Sequence, residues 1–135
     1  MLQAIPLIIR LAIAAGAAKT ISNVYKNRDM GDLSGTEWTA AMGKKANVGQ
    51  TINFKDGDIS GFGGCNQFFG QYTQDGGKLT IGALASTRKA GPNMKAEATL
   101  LAALQLARRF KGTPSEITIY GEADDVLLTL VRKNR

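Results

Sequence analysis

The stretch TINFKDGDISGF, residues 51 to 62, limits what this chain can fold into more than any other. Two short runs of β-branched and aromatic residues flank Asp56-Gly57, a pair suited to the positive-φ positions of a two-residue hairpin turn. An antiparallel pair is therefore predicted over 51–55 and 58–62. Runs of similar length and partial alternation surround it: TEWTAAM (36–42), NQFFGQYT (66–73), KLTIG (78–82) and ALASTRK (83–89), with QDGG (74–77) as a further turn. EITIYG and DVLLTLVRK, on either side of the acidic turn GEADD (121–125), predict a closing hairpin.

One helix interrupts the strands. NMKAEATLLAALQLARRFK (93–111) follows the start signal Pro92-Asn93 and sets Leu100, Ala103, Leu104, Ala107 and Phe110 on one broad face. That face should cover the sheet, and Arg108, Arg109 and Lys111 should lie in the last turn, opposite the negative helix end. Trp38, Phe54, Leu101 or its neighbour Leu104, and Leu128 are the expected core.

The sequence argues against most chemistries. It contains no histidine and one cysteine, so it offers no Ser/His or Cys/His pair and no thiolate zinc site. No carboxylates follow calcium-loop spacing: DGD (56–58) is turn-sized, and GEADD falls where a hairpin loop is expected. No catalytic residue, cofactor or metal is expected. Seventeen basic and eleven acidic residues give a net charge of +6, but the basic residues are scattered and not interleaved with aromatics, so nucleic acid is not an expected partner.

The first residues differ from the rest. AIPLIIRLAIAAGAA, residues 4–18, is apolar apart from Arg10, and fifteen helical residues cover about 22 Å against a hydrocarbon core of roughly 30 Å. Three readings stand: a short span, a secretory signal with an exit at AGAA (15–18), or a helix that docks on a membrane or protein. For docking, Leu7, Ile8, Leu11 and Ile13 supply apolar contact, while Ala12 and Gly16 allow close approach. If the segment spans, Lys19, Lys26 and Arg28 would hold the domain on the cytoplasmic side. Residues 1–26 are read as the attachment helix, 27–32 as a linker, and 33–135 as the domain.

LSGTEW (33–38), ISGFGGCNQFFGQY (59–72), KLTIGALASTRKAG (78–91) and the closing hairpin together resemble the META domain family, which includes HslJ-like proteins of bacterial envelopes. The Trp, the G-G-C-N core, the following G-x-Y and the A-S-T-R segment stand in the family's order. The resemblance implies an α+β fold: a curved, barrel-like antiparallel sheet of about seven to eight short strands under one long helix. It also implies a bacterial envelope protein, membrane-associated with the periplasmic side favoured, lacking an assigned enzymatic activity and linked to stress tolerance. An apolar ligand inside the sheet is the rival implication, and an exported stress-response protein with a cleaved signal is another.

The family commonly carries a second cysteine just after T-R-x-A, where this chain has Gly91. Cys65 is therefore expected to be a small buried residue without a disulfide partner. Gly61, Gly63 and Gly64 permit sharp turning of the strand, and Asn66 suits a bracing role through its own neighbouring backbone. Trp38, Gly63, Gly64, Cys65 and Asn66 form the structural motif. Arg88, expected on a strand face with Leu84 and Ser86, has two open readings: a bond to loop carbonyls, or contact with an anion or partner carboxylate.

Overall fold

The computed structural model describes residues 29–41 and 49–133. The expected N-terminal helix, with Leu7, Ile8, Leu11, Ala12, Ile13 and Gly16, lies outside the described residues. Within them, strands β1 (Thr36–Ala41), β2 (Thr51–Lys55), β3 (Asp58–Phe62), β4 (Gln67–Asp75), β5 (Lys78–Ile81) and β6 (Ala85–Ser86) precede helix α1 (Met94–Leu106). Strands β7 (Arg109–Thr113), β8 (Glu116–Tyr120) and β9 (Val126–Arg132) follow it.

The strands run in the order β3-β2-β1-β9-β8-β7-β5-β4, and a further pairing of β3 with β4 closes them into an eight-stranded antiparallel barrel. Closure removes the free edges that a sheet of short strands would otherwise expose. β6 continues the line of β5: both pair with β4, one at Phe68 and Phe69 and the other from Tyr72 to Asp75. The Asp56-Gly57 turn forms as read, with φ of 50° and 91° at its two residues.

Alternation decides what fills the barrel. Trp38, Ile52, Phe54, Ile59, Phe68, Leu79, Ile117, Ile119 and Leu130 point inward and are essentially buried, joined by Leu100 and Leu104 from α1. Phe54 and Tyr72 meet edge to face with ring centroids 4.9 Å apart. Gly61 faces the same interior: a Cβ there would lie 2.7 Å from the Phe68 ring and 2.0 Å from the Thr51 carbonyl oxygen, so only glycine fits. Of the expected core, Trp38, Phe54, Leu104 and Leu128 are buried, while Leu101 is half-buried against them.

The two ends of the barrel are closed differently. α1 lies across one end, where Gln105 Nε2 donates to the Gly82 carbonyl at 2.8 Å and Gln50 Nε2, just before β2, donates to the Ala96 carbonyl at 3.1 Å. At the other end, Thr36 Oγ1 donates to the Leu33 carbonyl at 2.6 Å and accepts from Trp38 Nε1 at 2.7 Å. The Arg132 guanidinium sits 5.3 Å from the Trp38 ring centroid.

The structure corrects three expectations. The helix is not long: it has thirteen residues and stops at Leu106, because Ala107 turns extended and the next segment becomes β7. Tertiary demand overrides local propensity here, since without β7 the barrel would stay open between β5 and β8. Phe110 is buried from a strand, not a helix, and no basic residue lies in the helix's last turn. Arg109 instead pairs with Asp124, and Arg108 Nη1 donates to the Ala107 carbonyl at 2.7 Å. ALASTRK contributes only Ala85 and Ser86 to the sheet, and Arg88 is exposed beyond that strand, not partly buried on its face.

The seam between β5 and β7 is the thinnest part of the wall, with one paired register, Lys78 with Arg109. A strap from Met30 to Leu33 crosses beside it. Met30 N–H donates to the Gly112 carbonyl at 2.8 Å, Gln74 Nε2 donates to the Gly31 carbonyl at 2.9 Å, and Leu33 N–H donates to Gln74 Oε1 at 2.9 Å. Gln74→Ala should lower stability by about 1–3 kcal/mol, because it orphans a backbone donor on fully buried Leu33. Hydrogen exchange should then speed up at Leu79 and Phe110 more than at Ile52 and Ile59. Equal acceleration throughout would contradict a seam held by the strap.

Candidate functional site

The G-G-C-N segment lies between β3 and β4, at the end of the barrel covered by α1. Its organising group is one that the sequence reading missed, Glu97 in the first turn of α1, which is 5% exposed. Glu97 Oε1 accepts the backbone N–H groups of Cys65 at 3.0 Å and Asn66 at 2.5 Å, and its Oε2 accepts Asn66 Nδ2 at 2.8 Å. Burial, the largest single influence on this carboxyl, pushes its pKa up. The bonds from the Asn66 side chain and from the Asn66 and Cys65 backbone outweigh burial, and the group titrates below its ordinary 4.5.

Asn66 bonds over long range and not, as expected, through its own neighbouring backbone. Its Oδ1 accepts from Lys89 N–H at 2.7 Å and from Thr87 Oγ1 at 2.9 Å, while its Nδ2 also reaches the Lys89 carbonyl at 3.1 Å. One buried amide thus joins α1, the β3–β4 loop and the segment after β6. Gly63 is required for this: a Cβ there would lie 2.6 Å from Glu97 Cγ. Gly64 has φ of 124°, and its carbonyl accepts Asn93 Nδ2 at 3.3 Å, so Asn93 marks the helix start without capping it by a side-chain bond. Gln50, fully buried, donates to the Gly63 carbonyl at 2.8 Å.

Cys65 is half-buried and unpaired, and its thiol donates to the Lys89 carbonyl at 3.4 Å. A Cβ built on Gly91 would lie 2.4 Å from its sulfur, so Gly91 stands directly against the thiol. Arg88 lines a shallow groove of about 440 Å³ over Asn66, Met94 and Glu97. Trp38 is remote from this cluster, toward the strap end of the barrel. The structure therefore brings Gly63, Gly64, Cys65 and Asn66 together, leaves Arg88 at their rim and separates Trp38. A glutamate in a helix's first turn ordinarily reads as a favourable partner of the helix dipole, so Glu97 carried no signal of its burial.

Two larger grooves flank the β5–β7 seam. One, of about 840 Å³, is bounded by Met30, Gln74, Phe110 and Gly112; the other, of about 570 Å³, by Lys78, Arg109, Lys111 and Tyr120. No cluster of potential metal ligands is present among the described residues. No helix among them is long and apolar enough to cross a membrane.

These features define a class: a small closed barrel with one covering helix, clamped through a buried carboxylate to a glycine-rich loop. The family model for the META domain matches residues 31–134, and the chain belongs to that family. It is similar to a protein from Burkholderia xenovorans solved by NMR, with 27% identity and a TM-score of 0.63 over 76% of this chain and 85% of that one. A second NMR structure, 24% identical with a TM-score of 0.55, covers 73% of this chain and 90% of the other. A crystal structure of a DUF4847 family protein from Bacteroides vulgatus, 15% identical with a TM-score of 0.53, covers 85% and 99% respectively. These last two share the fold alone. No curated protein matches the chain.

Two outcomes test the clamp. Glu97→Gln places an N–H group toward Asn66 Nδ2 or removes an acceptor, so it should cost about 1–3 kcal/mol at neutral pH. A lowered folded pKa means that the carboxylate stabilises fully above the unfolded value and that this contribution fades as pH falls through the folded one. Urea midpoints for wild type and variant should therefore converge as pH drops below about 4. A gap independent of pH would leave the charge without a role. Separately, Gly91→Cys should oxidise with Cys65 after a small shift of the loop. Loss of both free thiols and a stabilisation of about 3 kcal/mol that disappears on reduction are expected.

Proposed function

We propose that this META domain is a non-enzymatic attachment module: a rigid barrel held to a membrane or a membrane-protein assembly through residues 1–26. The observation that carries the reading is the strap. Met30 and Gly31 are hydrogen-bonded to Gly112 and Gln74, so the chain upstream of Asp29 joins the barrel at a fixed point beside the seam. An apolar segment leading into such a point suits a tether. Leu7, Ile8, Leu11 and Ile13 supply its contact surface, and Ala12 and Gly16 let a partner backbone approach. Four such side chains are worth roughly 6 to 12 kcal/mol gross, before ordering and association costs. Placement at the bacterial envelope, with the barrel on the periplasmic side, belongs to the same proposal.

The rival reading, a carrier with an apolar ligand inside the sheet, draws less support, because the barrel interior is occupied by its own side chains from Trp38 to Leu130. In the full-length chain, Leu11→Asp or Gly16→Asp should release the protein from its membrane or partner fraction. The barrel's melting transition should stay within about 1 °C of wild type. Unchanged fractionation, or a mature chain beginning near Lys19, would defeat the proposal.

A further inference from the structure

The outer face of β2, β3 and β4 carries a different kind of surface. Register sets it out in rows. Asn53 pairs with Ser60, and Ser60 with Phe69, while Thr51 pairs with Phe62, and Phe62 with Gln67. All six side chains point outward, because Ile52, Phe54, Ile59 and Phe68 take the inward positions. Phe62 and Phe69 are diagonal cross-strand neighbours, about 7–8 Å apart in such a ladder. They border a shallow groove of about 240 Å³, which Gly61 and Phe68 also line and whose other outward side chains are hydroxyls and amides.

Two properties of this patch call for an occupant. Phe69 is 51% exposed on a strand whose inward rings, Phe68 and Tyr72, are buried, so its own ring lies outside the core. The side chains of Asn53, Ser60 and Gln67 make no hydrogen bond within the described residues, which leaves their donors and acceptors free to serve a ligand. Thr51 Oγ1 accepts Phe62 N–H at 3.2 Å and keeps its own proton to donate. No charged side chain lines the groove, on a chain whose formal charge is +6. An acidic partner would select lysine or arginine here, and a purely apolar partner would leave the amides and hydroxyls unpaired at a cost.

We propose that this face binds a neutral glycan chain. The phenyl rings offer flat apolar surfaces to the C–H faces of pyranose rings, and a diagonal spacing wider than one ring places them under different sugars of one chain. Asn53, Ser60, Gln67 and Thr51 meet the hydroxyls, for which mixed donor and acceptor groups are the matching chemistry. Equatorial, β-linked sugars present the flat faces that this arrangement requires. The site is independent of residues 1–26, so it stands or falls apart from the attachment reading.

The test is an amide NMR titration of the full-length chain, in a sugar-free detergent where one is needed. Cellohexaose is the probe and α-linked maltohexaose the comparison. Shifts confined to residues 51–53, 60–62 and 67–69, stronger for cellohexaose and saturating at millimolar sugar, are expected. Phe69→Ala, at an exposed position whose loss leaves the fold intact, should weaken that binding by at least about tenfold, and Gln67→Ala by less. The proposal is overturned if neither sugar shifts these amides, if Phe69→Ala binds as wild type does, or if the face is already covered by a second copy of the chain.

Discussion

A carboxylate carried into a protein interior loses its water and must find donors of matching number and direction. Glu97 finds three, two from the backbone of Cys65 and Asn66 and one from the Asn66 amide. The arrangement leaves little freedom to its surroundings. It fixes where α1 begins, fixes the path of the β3–β4 loop, and through Asn66 Oδ1 holds Thr87 and Lys89 after β6. The helix that plugs one end of the barrel is therefore located by a polar clamp at its start and by Leu100 and Leu104 along its length. Apolar packing alone would tolerate some sliding of a thirteen-residue helix over the mouth; directional bonds to a buried charge do not.

Much of the wall was legible in the sequence because it is local. Asp56-Gly57 announces its turn, and the inward positions of β1, β2, β8 and β9 repeat every second residue, as in Thr36, Trp38 and Ala40. The closing hairpin falls where EITIYG and DVLLTLVRK placed it. What the sequence could not disclose depends on distant parts of the chain. ARRFK is good helix sequence, and only the vacancy between β5 and β8 makes it a strand. Arg88 looked like a strand residue because ALASTRK alternates, yet β4 offers β6 partners at only Phe68 and Phe69.

The site was legible in part for the same reason. Gly63, Gly64, Cys65 and Asn66 advertise a special backbone, and Asn66 does brace it. Glu97 lies thirty-one residues from Asn66 and looks like any acidic residue opening a helix. Gly63 is the one local trace of it, since a glycine without positive φ suggests that something presses on the backbone where a Cβ would be. Gly91 is the same kind of trace, marking the thiol of Cys65 against it.

The thin β5–β7 seam also gives the barrel a mechanical direction. Tension applied upstream of Asp29 arrives first at the Met30–Gly112 bond and then at the two bonds of Gln74, beside the one register that joins Lys78 to Arg109. Those few bonds would be loaded one after another, whereas the full ladders of β1 with β9 and β8 with β9 lie away from the pull. Tension from that side would therefore load the strap before the longer ladders of the wall. Force on the chain upstream of Asp29 would thus be felt first beside the wall between β5 and β7, at the bonds of Met30 and Gln74.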